Sequence, residues 1–255
     1  MKKLLLLVIL LSFSSLNCLP DEQIAVIAYQ RYAQNIQVVP GFLSVLNSPN
    51  YGRFFEMESA LYAESKWEEE ILGFDLDLTF LNLNGQKNYV PHRGGRYELR
   101  TTEYDVITSR YVFECKNSDK HAKMVQFEKE KIVLELIRAL VKEQNEGILK
   151  VSFSFNNRGS SIITVNGPST FNKDISIMSK WVTGKKIEEC QEEWTYIFKM
   201  LAEKELIVMF RNYCPGTKEK VKGHGIFCKD RIDEKMGRLF EQDLSSKFSY
   251  MSVNY

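Results

Sequence analysis

The chain is poor in the residues that build unusual architectures. Among 255 residues there are 14 glycines and 6 prolines, which leaves no room for a collagen-like or linker-dominated protein. Five cysteines are too few for a disulfide scaffold at this length. An excess of one charge is missing too: 34 basic residues nearly cancel 33 acidic ones, which excludes a protein that coats nucleic acid by bulk charge. A polyanion partner has to be held by a local basic surface or through metal ions. No apolar run reaches the roughly 20 residues needed to span a bilayer, and there is no internal repeat or low-complexity tract. What remains, 44% hydrophobic and 26% charged residues, is the composition of a folded globular chain. Its length suits one large domain, or one domain with an extension.

The N-terminus has the order of a secretory signal peptide. Lys2 and Lys3 precede an apolar run from Leu4 to Leu11, followed by Ser12, Phe13, Ser14 and Ser15. The reading is a signal peptide over residues 1–18, cleaved near Asn17 or Cys18, and export to the periplasm or the medium. Lipoprotein anchoring at Cys18 is the weaker alternative, because Ser15-Leu16-Asn17 matches poorly the residues that precede a lipidated cysteine. Export leaves Cys115, Cys190, Cys214 and Cys228 in a compartment that permits disulfides. Cys214 and Cys228 flank a turn-rich segment. A bridge closing a hairpin and a pair of half-buried thiols are both consistent with that spacing.

Periodicity predicts a helix over 21–38, broken by Pro40-Gly41, and a second from Ser48-Pro49 to about Glu70 with Ser48 as its cap. Strands are expected at Asp75–Leu83, Arg96–Thr101, Glu103–Thr108 and Tyr111–Lys116. An amphipathic helix follows over about Ala122–Gln144, with Ile132, Leu136, Ala139 and Leu140 on its apolar face. Strands at Leu149–Phe155 and Ile162–Val165, a helix at Lys185–Glu203 and a strand at Leu206–Phe210 come next. A basic hairpin-like segment and a short helix near Ile232–Leu244 complete the chain. This order predicts a mixed-sheet α/β sandwich. Its parts are a helical segment over 19–47, a core over 48–166, and an α/β extension over 167–255 that completes the same domain.

The segment from Tyr104 to Lys116 carries the chemistry. If Ser109-Arg110 is a two-residue turn, Ile107 faces Val112, Val106 faces Phe113 and Asp105 faces Glu114. Alternation returns Lys116 to the face of Glu114, while Val106, Phe113 and Cys115 occupy the core face. Adjacent carboxylates raise each other's pKa unless a cation separates them. A hard divalent ion with oxygen ligands resolves the conflict, and a lysine beside it can orient water and stabilise charge on a phosphate. That is equipment for metal-assisted phosphodiester hydrolysis. A solvated hairpin face with one ion pair uses the same residue types. On the preceding helix, Gly52, Glu56, Ala60 and Ala63 share a face on which a carboxylate needs a cation or a donor.

Gly52-x-x-Phe55-Glu56-x-x-x-Ala60, then Asp105, then Glu114-Cys115-Lys116-Asn117 and a helix, resembles the PD-(D/E)XK nuclease superfamily over about residues 48–155. The resemblance implies a restriction-endonuclease-like fold and a Mg²⁺- or Mn²⁺-dependent nuclease. Asp105 and Glu114 would be the metal ligands, Lys116 the residue that positions or activates water, and Glu56 a supporting acid. Gln126 matches a polar residue that some members place on the following helix. Tyr104 stands where the family's name has proline, which removes no ligand. The implied partner is nucleic acid, DNA more than RNA, and cleavage of both strands would favour a homodimer. A secreted binding protein that keeps the fold without turnover is the alternative.

Lys218, Lys220 and Lys222 alternate within a basic segment and would follow a phosphate backbone from one strand face, or serve as a solubilising edge. Arg93, Arg96 and Arg100 precede the hairpin and are further phosphate-binding candidates. Gly184-Lys185-Lys186 lacks the glycine and the Ser/Thr of a phosphate-binding loop. His92, His121 and His224 show no metal-ligand spacing. Glu128, Lys129, Glu130 and Lys131 read as the solvated face of a helix.

Overall fold

The computed structural model describes residues 21–34, 37–48, 50–82, 88–92, 95–99, 101–117, 124–155, 160–167, 175–180, 190–212 and 223–225. Among the described residues there are five helices: α1 (Asp21–Tyr32), α2 (Phe42–Asn47), α3 (Tyr51–Trp67), α4 (Met124–Asn145) and α5 (Cys190–Ala202). The strands are β1 (Ile71–Asn82), β2 (Asn88–His92), β3 (Gly95–Leu99), β4 (Thr102–Thr108), β5 (Tyr111–Lys116), β6 (Lys150–Phe155), β7 (Ser161–Asn166), β8 (Ile175–Lys180), β9 (Glu205–Asn212) and β10 (Gly223–Gly225).

The first helix is shorter than its periodicity suggests. Ala33 and Gln34 both donate to Tyr29 O, at 2.9 and 3.1 Å, and this shared acceptor, with its wider i−5 bond, closes α1 at Tyr32. The Tyr32 ring then packs against Phe42 and Phe74, with centroids 5.5 Å away in each case. Gly41 turns the chain into α2, an element the sequence reading lacked. Its φ is +77°, and a Cβ there would lie 1.9 Å from the Phe74 carbonyl oxygen, so only glycine fits. The cap of α3 is Asn50, not Ser48: its side chain accepts from Gly52 N at 2.9 Å and from Arg53 N at 3.1 Å.

Among the described residues the main sheet has eight strands in the order β10-β9-β5-β4-β1-β8-β7-β6. β5 and β9 run parallel, while the other neighbours are antiparallel, so the sheet is mixed. β2 and β3 form a separate two-stranded ribbon between β1 and β4 in sequence. β2 and β8 were not anticipated from sequence. β8 inserts between β1 and β7, and β9 lies beside β5, so strands from both sides of residue 166 share one sheet.

Two apolar cores lie on opposite faces. One joins α1, α2 and α3 to Ile71, Phe74, Val106, Phe113, Cys115, Ile207 and Met209. The other joins α4 and α5 to Leu76, Leu78, Phe80, Tyr104, Ile107, Val112 and Leu206. The fold is thus α/β, with helices covering both faces of a mixed sheet. The stripe of α4 is set by Val133, Leu136, Ile137 and Leu140, and Ile132 is only half-buried. Residues 55–63 of α3 are all buried, because this helix is covered by α1 and α2 as well as by the sheet. No helix among the described residues is long and apolar enough to cross a membrane.

Candidate active site

The site sits where two central strands exchange faces. In β1, Phe74 belongs to the core under α1–α3, but Leu76 belongs to the core under α4 and α5. Its partner β4 does the same between Val106 and Tyr104. The registered pairs Phe74↔Val106 and Leu76↔Tyr104 bracket Asp75 and Asp105, which therefore mark the exchange. Asp75 has φ +58°, a left-handed conformation that only a short polar side chain adopts readily. Such irregularities next to a functional site re-aim side chains out of the regular pleat.

On the α3 side the acids gather around Arg53. Its Nη1 lies 2.9 Å from Glu56 Oε2 and 2.6 Å from Asp75 Oδ1, and Nη2 is 3.7 Å from Glu103 Oε1. Ser44 Oγ donates to Asp75 Oδ2 at 3.0 Å. Burial, together with the charge of Asp105, pushes Glu56 up to about 9 although Arg53 pulls it down. Glu103 shares a hydrogen bond with Asp75, which with burial raises Glu103 to about 8. Asp75, despite its own burial, is held below the ordinary carboxylate range by Glu103 and Arg53.

On the α4 side the centre is Lys116. Glu114 is buried, and its Oε1 is in contact with Lys116 Nζ and accepts from Gln126 Nε2 at 2.7 Å. Glu114 Oε2 is buried with no hydrogen-bond donor. Asp105 Oδ2 accepts from Cys115 N at 2.5 Å. Burial raises Asp105 to about 6, against the opposing pull of Lys116, the Cys115 amide and Arg53. Glu130 of α4 is fully buried, and burial plus the charge of Asp105 lifts it to about 8. Lys129 donates to Thr101 O and is lowered by its burial.

Among the described residues, six carboxylates (Glu56, Asp75, Glu103, Asp105, Glu114, Glu130) are set against three cations (Arg53, Lys116, Lys129) across the two clusters. Protonation of the raised acids, or an added cation, would relieve this imbalance. The donors are oxygens, and an orphaned buried oxygen on Glu114 awaits a partner, so the set suits a hard divalent ion. Among the described residues no three His, Cys, Asp or Glu side chains form a ready-made cage. An ion here would take few protein carboxylates and several waters, which is how Mg²⁺ is commonly bound.

The hairpin is built in part as its sequence suggests, and its paired register does not extend to Asp105 and Glu114. Val106 pairs with Phe113 and Ile107 with Val112 across Ser109-Arg110. Val106, Phe113 and Cys115 lie on the core face toward α3. Of the residues singled out in the sequence, Lys116 and Gln126 both contact Glu114, while Asp105 feels the charge of Lys116 and is itself felt by Glu56. Glu130 was misread: it is not on a solvated face but inside the core, at the spacing of Phe127, Leu134 and Ile137. Arg53, Asp75 and Glu103 were also missed, although Arg53 stands one turn before Glu56.

Glu69 was missed as well, and it fixes the turn. It accepts from Thr108 Oγ1 at 2.8 Å, Ser109 Oγ at 2.7 Å and Arg110 N at 3.0 Å, and pairs with Arg110 Nε. Trp67, at the end of α3, stacks on Phe113 at 5.7 Å and ties that helix to β5. Arg96 lies in β3 opposite Pro91 of β2. Arg93, Arg100, Lys218, Lys220, Lys222, Cys214, Cys228, the signal segment with Cys18, and Ile232–Leu244 lie outside the described residues.

No protein-family model matches the chain, and no curated protein or solved structure is significantly similar to it.

Proposed function

We propose that this chain is an exported, metal-dependent nuclease of the restriction-endonuclease-like type, acting on DNA in preference to RNA. The observation that carries this reading is buried Asp105 standing between two clusters, Glu56 with Arg53 from α3 on one side and Lys116 with Glu114 of β5 on the other. Mg²⁺ or Mn²⁺, when bound, would supply Lewis-acid stabilisation of a phosphate and a water of lowered pKa. Asp105 and Glu114 would hold the ion. Gln126 orients Glu114 through its amide, in the way outer partners fix metal-binding carboxylates. Lys116, once its ammonium is released from Glu114, would orient the attacking water and stabilise charge on the phosphate. Glu56, kept in place by Arg53 at 2.9 Å, is the supporting acid. Arg96 of β3, Arg93, Arg100 and the basic 218–222 segment are the proposed contacts to the phosphate backbone.

One observation favours a second reading, an exported interaction protein that keeps the fold without turnover. Arg53 and Lys116 already engage Glu56, Asp75 and Glu114, so the chain's own cations partly neutralise the site. Incubation with plasmid, single-stranded DNA and RNA, in Mg²⁺, Mn²⁺ or chelator, separates the two. Metal-dependent cleavage that is lost in Asp105→Asn and Glu114→Gln supports the nuclease and reveals its substrate class. Binding of metal and nucleic acid by folded protein, with no cleavage of any substrate, supports the interaction protein.

A further inference from the structure

Asp75 sits at a break in β1. From Asp77 onward this strand pairs with β8, but at Phe74 the backbone N–H donates to Pro40 O at 2.8 Å, in the segment that leads into α2. Between the two, Asp75 has φ +58°. Glycine adopts that conformation at no steric cost, so backbone shape alone does not call for an acid. The Asp75 side chain is only 12% exposed, and a carboxylate so placed needs partners to replace its water. Each of its oxygens finds one. Oδ1 accepts from Arg53 Nη1 of α3 at 2.6 Å, and Oδ2 accepts from Ser44 Oγ of α2 at 3.0 Å. The same Arg53 Nη1 lies 2.9 Å from Glu56 Oε2, three residues along α3. By itself an i, i+3 ion pair on a helix constrains two long side chains weakly. Anchored from β1 as well, Arg53 becomes a fixed donor, and Glu56 has one position at which to meet it.

We propose that Asp75 is a positioning residue for the hydrolysis: it holds Arg53, and through Arg53 it sets the orientation of Glu56. The inference rests on the nuclease reading, in which Glu56 is the supporting acid. It explains why a strand position with a left-handed backbone carries an acid and not glycine, and it draws α2 into the site through Ser44.

Plasmid cleavage by the full chain, resolved into kcat and KM, tests it with Asp75→Asn. Asparagine tolerates the same backbone and can still accept from Ser44, but it lacks the charge that pairs with Arg53. Asp75→Gly keeps the left-handed backbone with no side chain, and it serves if the asparagine variant does not fold. Circular dichroism and thermal melting establish folding. In either variant kcat should fall by about tenfold or more, with KM within about twofold of wild type. In a Glu56→Gln background the same Asp75→Asn change should cost less than about twofold further, because residues that act as a unit do not lose independently. A wild-type kcat in a folded Asp75 variant, a loss carried by KM alone, or an equal loss with and without Glu56→Gln overturns this inference while the nuclease reading stands. If folded wild type cleaves no plasmid in Mg²⁺ or Mn²⁺, both fail together.

Discussion

Lys116 Nζ rests against Glu114 Oε1 in a half-buried contact, and that contact competes with any ion seeking the same carboxylate. Lys116→Ala should therefore separate binding from chemistry. Cleavage should fall by about 100-fold or more, while Mn²⁺ affinity measured by calorimetry is retained or improved. A parallel loss of both would make Lys116 a structural residue. The acids yield a second expectation. Glu56, Glu103 and Glu130 are raised to about 9, 8 and 8, and Asp105 to about 6, from ordinary values near 4. A raised carboxylate binds its proton more tightly in the folded state, so its contribution is complete below the unfolded pKa and is lost as pH rises through the folded one. The metal-free protein should lose melting temperature steadily between about pH 5 and 9. Glu56→Gln should flatten the upper part of that decline. Asp75 and Glu69, which are lowered, act only at more acidic pH. Thermal scans in chelator at several pH values check this, and a melting temperature that rises toward pH 9 would contradict it.

The turn between β4 and β5 determines how Asp105, Glu114 and Lys116 meet, and Glu69 holds it from the end of α3. Glu69→Ala strips acceptors from Thr108, Ser109 and Arg110, of which Thr108 is fully buried. The expected loss is about 1–2 kcal/mol in urea unfolding, with cleavage falling further than stability alone predicts. Unchanged stability would show that the turn holds itself. This hairpin was legible in the sequence because alternation and a two-residue turn are local signals, and both fall within one short segment. The cap of α3 was misplaced by two residues because Ser48 and Asn50 are both good caps, and only the hydrogen bonds choose between them. Glu130 was misread because it lies within alternating charges at 128–131. Its spacing from Phe127, Leu134 and Ile137 was a signal that it faces inward. Asp75 had no such signal, since its left-handed backbone belongs to a strand pair that local pattern does not reveal.

At the scale of the whole molecule, α/β class followed from the order of helical and strand-like segments, but the sheet order did not. The pairings of β1 with β8 and of β5 with β9 join segments far apart in sequence, and no local pattern specifies them. Those pairings place β4 and β5 in the interior of the sheet, with α3 on one face and α4 on the other. Asp105 consequently feels both Arg53 from α3 and Lys116 from β5, and it raises Glu56 and Glu130 from opposite layers. A carboxylate cluster in such a position is poorly compensated by the chain alone, and this imbalance is the physical basis of the proposed metal-dependent chemistry. The most direct test is cleavage of supercoiled plasmid by the purified protein in Mg²⁺, beside chelator and beside Lys116→Ala. The account predicts nicked or linear DNA in Mg²⁺ alone, with neither chelator nor the variant giving product above background. Intact plasmid with well-folded wild type in both Mg²⁺ and Mn²⁺, or cleavage that survives in chelator, would contradict it.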